Sequence, residues 1–129
     1  VLSRFVLVLG LGVVAGGCGR GMVGVWRGSC EAGFGADEFE MDMILEIDEV
    51  KGGSAAGGGA FQYQDYTFVG ALDGEVDNDA LDAEIVGVSG GYTITNRVVV
   101  DRTDDELEGA CAFEDQGEVI EGEVTFLRD

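Results

Sequence analysis

The chain has 129 residues with 26 Asp and Glu against 7 Lys and Arg, a formal net charge of −19, and it contains no His and no Pro. The lack of His excludes Ser-His-Asp and Cys-His catalysis and imidazole metal sites, and a pI near 4.1 excludes nucleic acid as a partner, because phosphate binding needs a basic face. At 46% hydrophobic residues the chain is too apolar to be a disordered polyanion, and its length suits one domain.

Residues 1–17 read VLSRFVLVLGLGVVAGG. One cation, Arg4, precedes an apolar run from Phe5 to Ala15, and no acid occurs before Glu31. A basic start, a short apolar core and a small-residue end are the plan of a secretory signal peptide. The run is shorter than the roughly 20 apolar residues that cross a bilayer as a helix. Gly10-x-Gly12-x-x-Ala15 also matches a loose dinucleotide-binding fingerprint, but the GGCGRGMVGVW that follows cannot start the helix which that site requires. The segment Ala15-Gly16-Gly17-Cys18 resembles the lipobox of bacterial lipoproteins. The resemblance implies a lipid on the Cys18 thiol, cleavage before it, a short linker over 18–21, and a domain over 22–129 held to a membrane of the cell envelope. Gly19 after the cysteine, in place of Asp, is similar to the enteric sorting signal for the outer membrane.

From Met22 onward the hydrophobic period is two, which predicts strands. The first, about 22–31, places Gly24, Trp26, Gly28 and Cys30 on one face. The second, 39–48, reads FEMDMILEID, with Phe39, Met41, Met43, Leu45 and Ile47 opposite Glu40, Asp42, Glu46 and Asp48. A weaker Gly/Ala strand covers about 54–63. The fourth, about 66–73, aligns Tyr66, Phe68, Gly70 and Leu72, and the fifth, about 80–88, aligns Leu81, Ala83 and Ile85. The sixth, about 91–100, has Tyr92, Ile94, Val98 and Val100 inward. The seventh, about 105–113, has Leu107, Gly109, Cys111 and Phe113 inward; the eighth, about 117–127, has Ile120, Gly122, Val124 and Phe126. The connections are short and rich in Gly, Asp and Asn, so none carries a crossover helix and neighbouring strands are antiparallel. An all-β, up-and-down barrel of about eight strands is the expected fold, with a flattened sandwich as the alternative.

Cys30 and Cys111 form an even pair in an exported chain, and a disulfide closing a loop of about 80 residues is expected. It meets a geometric difficulty. The two cysteines fall on strands one and seven, with strand eight between them. Next-nearest strands lie about 9–10 Å apart, whereas a disulfide needs Cα atoms within about 7 Å. Either the strands converge, or one strand is misplaced.

Gly24-x-Trp26 in the first strand and Arg128 after the last are similar to lipocalin- and avidin-type barrels, in which a first-strand Trp lies beneath a terminal cation. The resemblance implies a ligand pocket, for which Trp26, Met41, Met43, Phe68, Tyr92 and Arg128 are the candidates beside a filled core. Asp73, Glu75, Asp77, Asp79 and Glu84 carry calcium-loop spacing, although Asn78 stands where the loop prefers Gly and the flanks read as strands. Calcium is thus the only cofactor suggested. Ser89-Gly90-Gly91-Tyr92 is loosely similar to the inhibitory loop of barrel lipoproteins that inhibit lysozyme, which implies a basic protein partner. No catalytic residues are expected. The reading is a monomeric, membrane-anchored binding or envelope-structural module, with a basic protein or a small apolar ligand as alternative partners.

Overall fold

The computed structural model describes the backbone of residues 21–34 and 37–129 and the side chains of 21–33 and 40–129, so the expected signal segment over 1–17, Cys18 and the side chain of Phe39 lie outside the described residues. Eight antiparallel strands close into one barrel in sequence order: β1 Gly24–Phe34, β2 Asp37–Lys51, β3 Ser54–Tyr63, β4 Tyr66–Asp77, β5 Ala80–Ser89, β6 Tyr92–Thr103, β7 Glu106–Asp115 and β8 Glu118–Arg128. The expected barrel is present, and the strands begin and end within a few residues of the bounds read from the sequence. β2 and β4 run longer, to Lys51 and Asp77, because the charged residues there stay extended in the ladder.

Period two sorts the side chains as expected. Trp26, Met41, Met43, Leu45, Ile47, Phe61, Leu81, Ile85, Ile94, Leu107, Phe113 and Phe126 are fully buried and fill the barrel. Outward positions carry Glu40, Asp42, Glu84, Glu108, Glu121 and Glu123, all exposed, so this wall faces water. From β2 to β8, two-residue turns join the strands, and the first residue of each is left-handed, with φ between 53° and 60°. That geometry matches the twist of paired strands.

The turns alternate between two ends. Those at 52–53, 78–79 and 104–105 share an end with residues 21–23, and those at 64–65, 90–91 and 116–117 share the other. The first end is closed. Arg128, paired with Trp26 across the β1–β8 ladder, places its guanidinium 4.1 Å from the centre of the Trp26 ring. Its Nη1 and Nη2 donate to the carbonyls of Val23 and Gly21 at 2.6 Å, and its Nε to Asp105 Oδ1 at 2.8 Å. Trp26 Nε1 donates to Met22 O at 2.9 Å. With its side chain only 8% exposed, Arg128 ties the incoming chain to the last strand.

Cys30 and Cys111 are bonded inside the barrel with their Cα atoms 6.1 Å apart, although β8 does lie between their strands. Gly122 resolves the difficulty. It faces inward on β8 and pairs with Ala32 on one side and Cys111 on the other. A Cβ there would collide with the carbonyl oxygen of Glu31 and come within 2.8 Å of the Ala32 Cα. The β1 backbone therefore occupies the space a side chain would take, and β1 curls over β8 toward β7. Gly122→Ala is expected to cost about 1–3 kcal/mol, the range of an overpacked core position. The checks are a lower urea midpoint and a higher free-thiol count after oxidative refolding; parent values for both would show that the curl does not depend on Gly122.

Candidate functional site

The open end holds a cleft of about 430 Å³ lined by Tyr63, Gln64, Tyr66, Phe68, Ser89, Gly90, Tyr92, Ile94, Asp115 and Gln116. All three tyrosines of the chain are in it. Each occupies an inward position at a strand end: Tyr63 closes β3, Tyr66 opens β4 and Tyr92 opens β6. One step beyond the last core layer, such a side chain stands on the rim instead of in the interior. Tyr66 and Tyr92 are accordingly 59% and 54% exposed. Tyr63 is half-buried and meets Phe113 edge-on, with ring centres 5.2 Å apart. Phe68 stacks on Phe61 at 5.4 Å and, with Ile94, forms the apolar floor.

Two glutamines border the rim in left-handed turns, Gln64 at φ 57° and Gln116 at φ 53°. Asn, Asp or Gly would adopt that conformation at lower cost. Gln116 uses it to aim its Nε2 at Tyr92 Oη, 3.0 Å away. Asp115 Oδ1 is shut off from solvent and accepts no hydrogen bond. Burial pushes the Tyr63 hydroxyl above the usual phenol range, and the negative charges of Asp115 and Glu118 push it further. The cleft thus offers aromatic faces, side-chain amides and one carboxylate, the furniture of a binding site.

The candidate ligand residues divide between places. Phe68 and Tyr92 line the cleft. Met41 and Met43 lie in the filled interior, where Asn96 Nδ2 donates to their sulfurs at 3.4 and 3.8 Å. Trp26 and Arg128 close the opposite end. The residues of calcium-loop spacing do not gather: Asp73, Glu75 and Asp77 follow one another along β4, where alternate residues stand about 6.6 Å apart. Asp73 faces Glu84 across the ladder, and Asp79 is paired with Arg102 at 2.7 Å. Among the described residues no group of three or more carboxylates or cysteines could hold a metal ion. Ser89, Gly90 and Tyr92, the loop with similarity to lysozyme inhibitors, border the cleft. From the sequence Tyr66 reads only as an inward strand residue, and Tyr63, Gln64, Gln116 and Asp115 carry no site expectation. The signal was available, since in a meander every second turn lies at the same end.

Two buried polar groups stand apart from the cleft. Asn96 Oδ1 accepts no hydrogen bond within the core. Glu46, on the outer face of β2 between Val25 and Gly58, is only 3% exposed. Beside it the β2–β3 register shifts between Ile47 and Glu49, which leaves Asp48 as an extra residue near Glu46. Burial first, then hydrogen bonding to Asp48 and its charge, push the Glu46 carboxyl up to about 8.

Compared with known protein families, with curated proteins and with solved structures, the chain finds no match.

Glu46 makes stability depend on pH. Between its unfolded value of 4.5 and about 8, the folded chain keeps a proton that the unfolded chain releases. Its contribution is therefore complete below the unfolded value and is lost as pH rises through the folded one. Urea midpoints are expected to fall from pH 5 to pH 9, by on the order of a few kcal/mol in unfolding free energy. Glu46→Gln, which keeps the shape and removes the titration, is expected to flatten that slope; an unchanged slope would assign the dependence to other carboxylates.

Proposed function

We propose that the chain is a lipid-anchored, extracytoplasmic binding module of lipocalin- or avidin-like architecture, which holds its ligand at the mouth of the barrel. The observation that carries this reading is the tyrosine-lined cleft of about 430 Å³ at the open end, opposite an end sealed by Arg128. Interior space favours the mouth over the lumen, because Trp26, Met41, Met43, Phe61, Phe113 and Phe126 already occupy the barrel. The anchor is supported by Ala15-Gly16-Gly17-Cys18. The Cys30–Cys111 bond supports an oxidising compartment and leaves Cys18 as the third cysteine of the chain. Gly19 supports the outer membrane as the address.

A second reading, a wall that docks a basic protein, is favoured by one feature. Glu31, Glu40, Glu121 and Glu123 line a hollow of about 480 Å³, and Glu31 stands directly opposite both Glu40 and Glu123. Like charges so placed cost stability that an approaching cation would relieve.

Two measurements test the main reading. Cys18→Ala is expected to move the protein from the membrane to the soluble fraction, and unchanged partitioning would remove the anchor from the proposal. For the cleft, nuclear magnetic resonance titration with a panel of small amines, phenols, sugars and carboxylates is expected to shift the Tyr63, Tyr66 and Tyr92 ring signals. The double variant Tyr66→Ala/Tyr92→Ala, which trims rings standing largely in solvent, is expected to keep the parent's melting temperature and lose those responses. Binding that persists in the double variant would place the site elsewhere.

A further inference from the structure

We propose that the group taken by the open-end cleft is an organic cation, an ammonium carrying alkyl substituents, an inference that rests on the cleft being the binding site. Three observations converge on it. The lining brings together three tyrosines, Tyr63, Tyr66 and Tyr92. Aromatic faces are negative, and an alkylated ammonium is the ligand class that gains most from several of them at once. The lining also contains a carboxylate, Asp115, whose Oδ1 is out of solvent and accepts no hydrogen bond, and it contains no Lys or Arg. A neutral apolar ligand would cover that carboxylate further without compensating it, at the cost of a buried, unpaired charge.

The third observation is the distribution of charge over the barrel. Arg27, Arg102 and Arg128 are all committed at the closed end, to Asp129, Asp79 and Asp105. Lys51 borders a turn of that same end, and Arg97 is held on the wall by both carboxylate oxygens of Asp82. Among the described residues, none of the cations stands at the open end. The acids about the mouth, Asp65, Asp115 and Glu118, therefore have no cation at their own end to offset them, in a chain whose net charge is −19. Their field draws cations in and concentrates them there. The negative surroundings of the Tyr63 hydroxyl, which Asp115 and Glu118 both push up, agree with that polarity.

The ammonium can come from a small free molecule or from a lysine side chain of a basic protein, and the test separates the two. The full chain in detergent is titrated with choline and with 3,3-dimethylbutan-1-ol, the neutral carbon isostere of choline, while the tyrosine ring signals are followed. Choline is expected to bind at least about tenfold more tightly than the isostere, the scale of a desolvated cation on aromatic faces. Asp115→Asn, which keeps the shape and removes the charge, is expected to weaken choline about tenfold and leave the isostere unchanged. Tyr92→Leu, at a largely solvated position, is expected to weaken choline while the melting temperature holds. A lysine-rich peptide that binds more tightly than choline would assign the ammonium to a protein, and a weaker one would assign it to a free molecule. Equal binding of choline and the isostere, or choline binding unaffected by Asp115→Asn, would overturn the cation inference and leave the cleft as a binding site for neutral ligands. Ring signals that respond to none of the small amines, phenols, sugars and carboxylates would remove the binding reading itself.

Discussion

A right-twisted sheet of eight strands meets its own first strand only where the backbone coils tightly enough, and in this chain that happens over inward glycines: the Thr125 carbonyl fills the place of a Cβ at Gly28 on β1, and Gly122 on β8 repeats the arrangement. There the β1 backbone fills the place of a side chain, and the lateral step from β1 to β7 shrinks to the 6.1 Å that a disulfide spans. Absent Cβ atoms along the seam thus permit the close approach at which the barrel closes and the covalent bond that secures it. The core follows from the closure, since the inward residues of β1 and β8, Trp26 and Phe126 among them, are covered only when the two strands are paired.

The two ends of the barrel have separate tasks. At one end Arg128 joins a ring face, two carbonyls and a carboxylate, and the incoming chain is held against the last strand. At the other end the inward positions run out into solvent, and rings that would be core two residues deeper become a lining. Polar groups at the closed end are paired with one another, whereas the carboxylate in the wall of the mouth, Asp115, has one oxygen without a hydrogen-bond partner.

The sequence made the barrel legible because its two signals are local. Alternation along a strand needs only nearest neighbours, as in Met41, Met43, Leu45 and Ile47, and the turns are marked by residues that tolerate left-handed backbone, such as Asn78 and Gly90. The Trp26–Arg128 contact was legible for the same reason, since a first and a last strand that pair must bring their ends together. The cleft was harder to read because it is assembled from five strands and three turns, and its residues look like ordinary strand ends when taken singly. Asn96 and Glu46 escaped for the opposite cause. Glu46 obeys the alternation of its strand while Asn96 interrupts it on the inward face, and only the surroundings make one a carboxyl with a raised pKa and the other an amide among sulfurs. The calcium spacing of Asp73 to Glu84 misled because a ligand loop and an extended strand can share a list of residues while placing them at different distances.

The order of the strands also governs how the chain must assemble. Every pairing except one joins strands that are neighbours in the sequence, so the hairpins can form early and at little entropic cost. The pairing of β1 with β8 is the long-range step, and until it happens the meander is an open sheet with two bare edges. Such edges invite a second chain to add its own strand. Here they carry Glu31 on one side and Glu121 and Glu123 on the other, so two unfinished sheets repel each other edge to edge. The crowding of glutamates that the finished barrel tolerates across its join is, for the unfinished one, protection against aggregation.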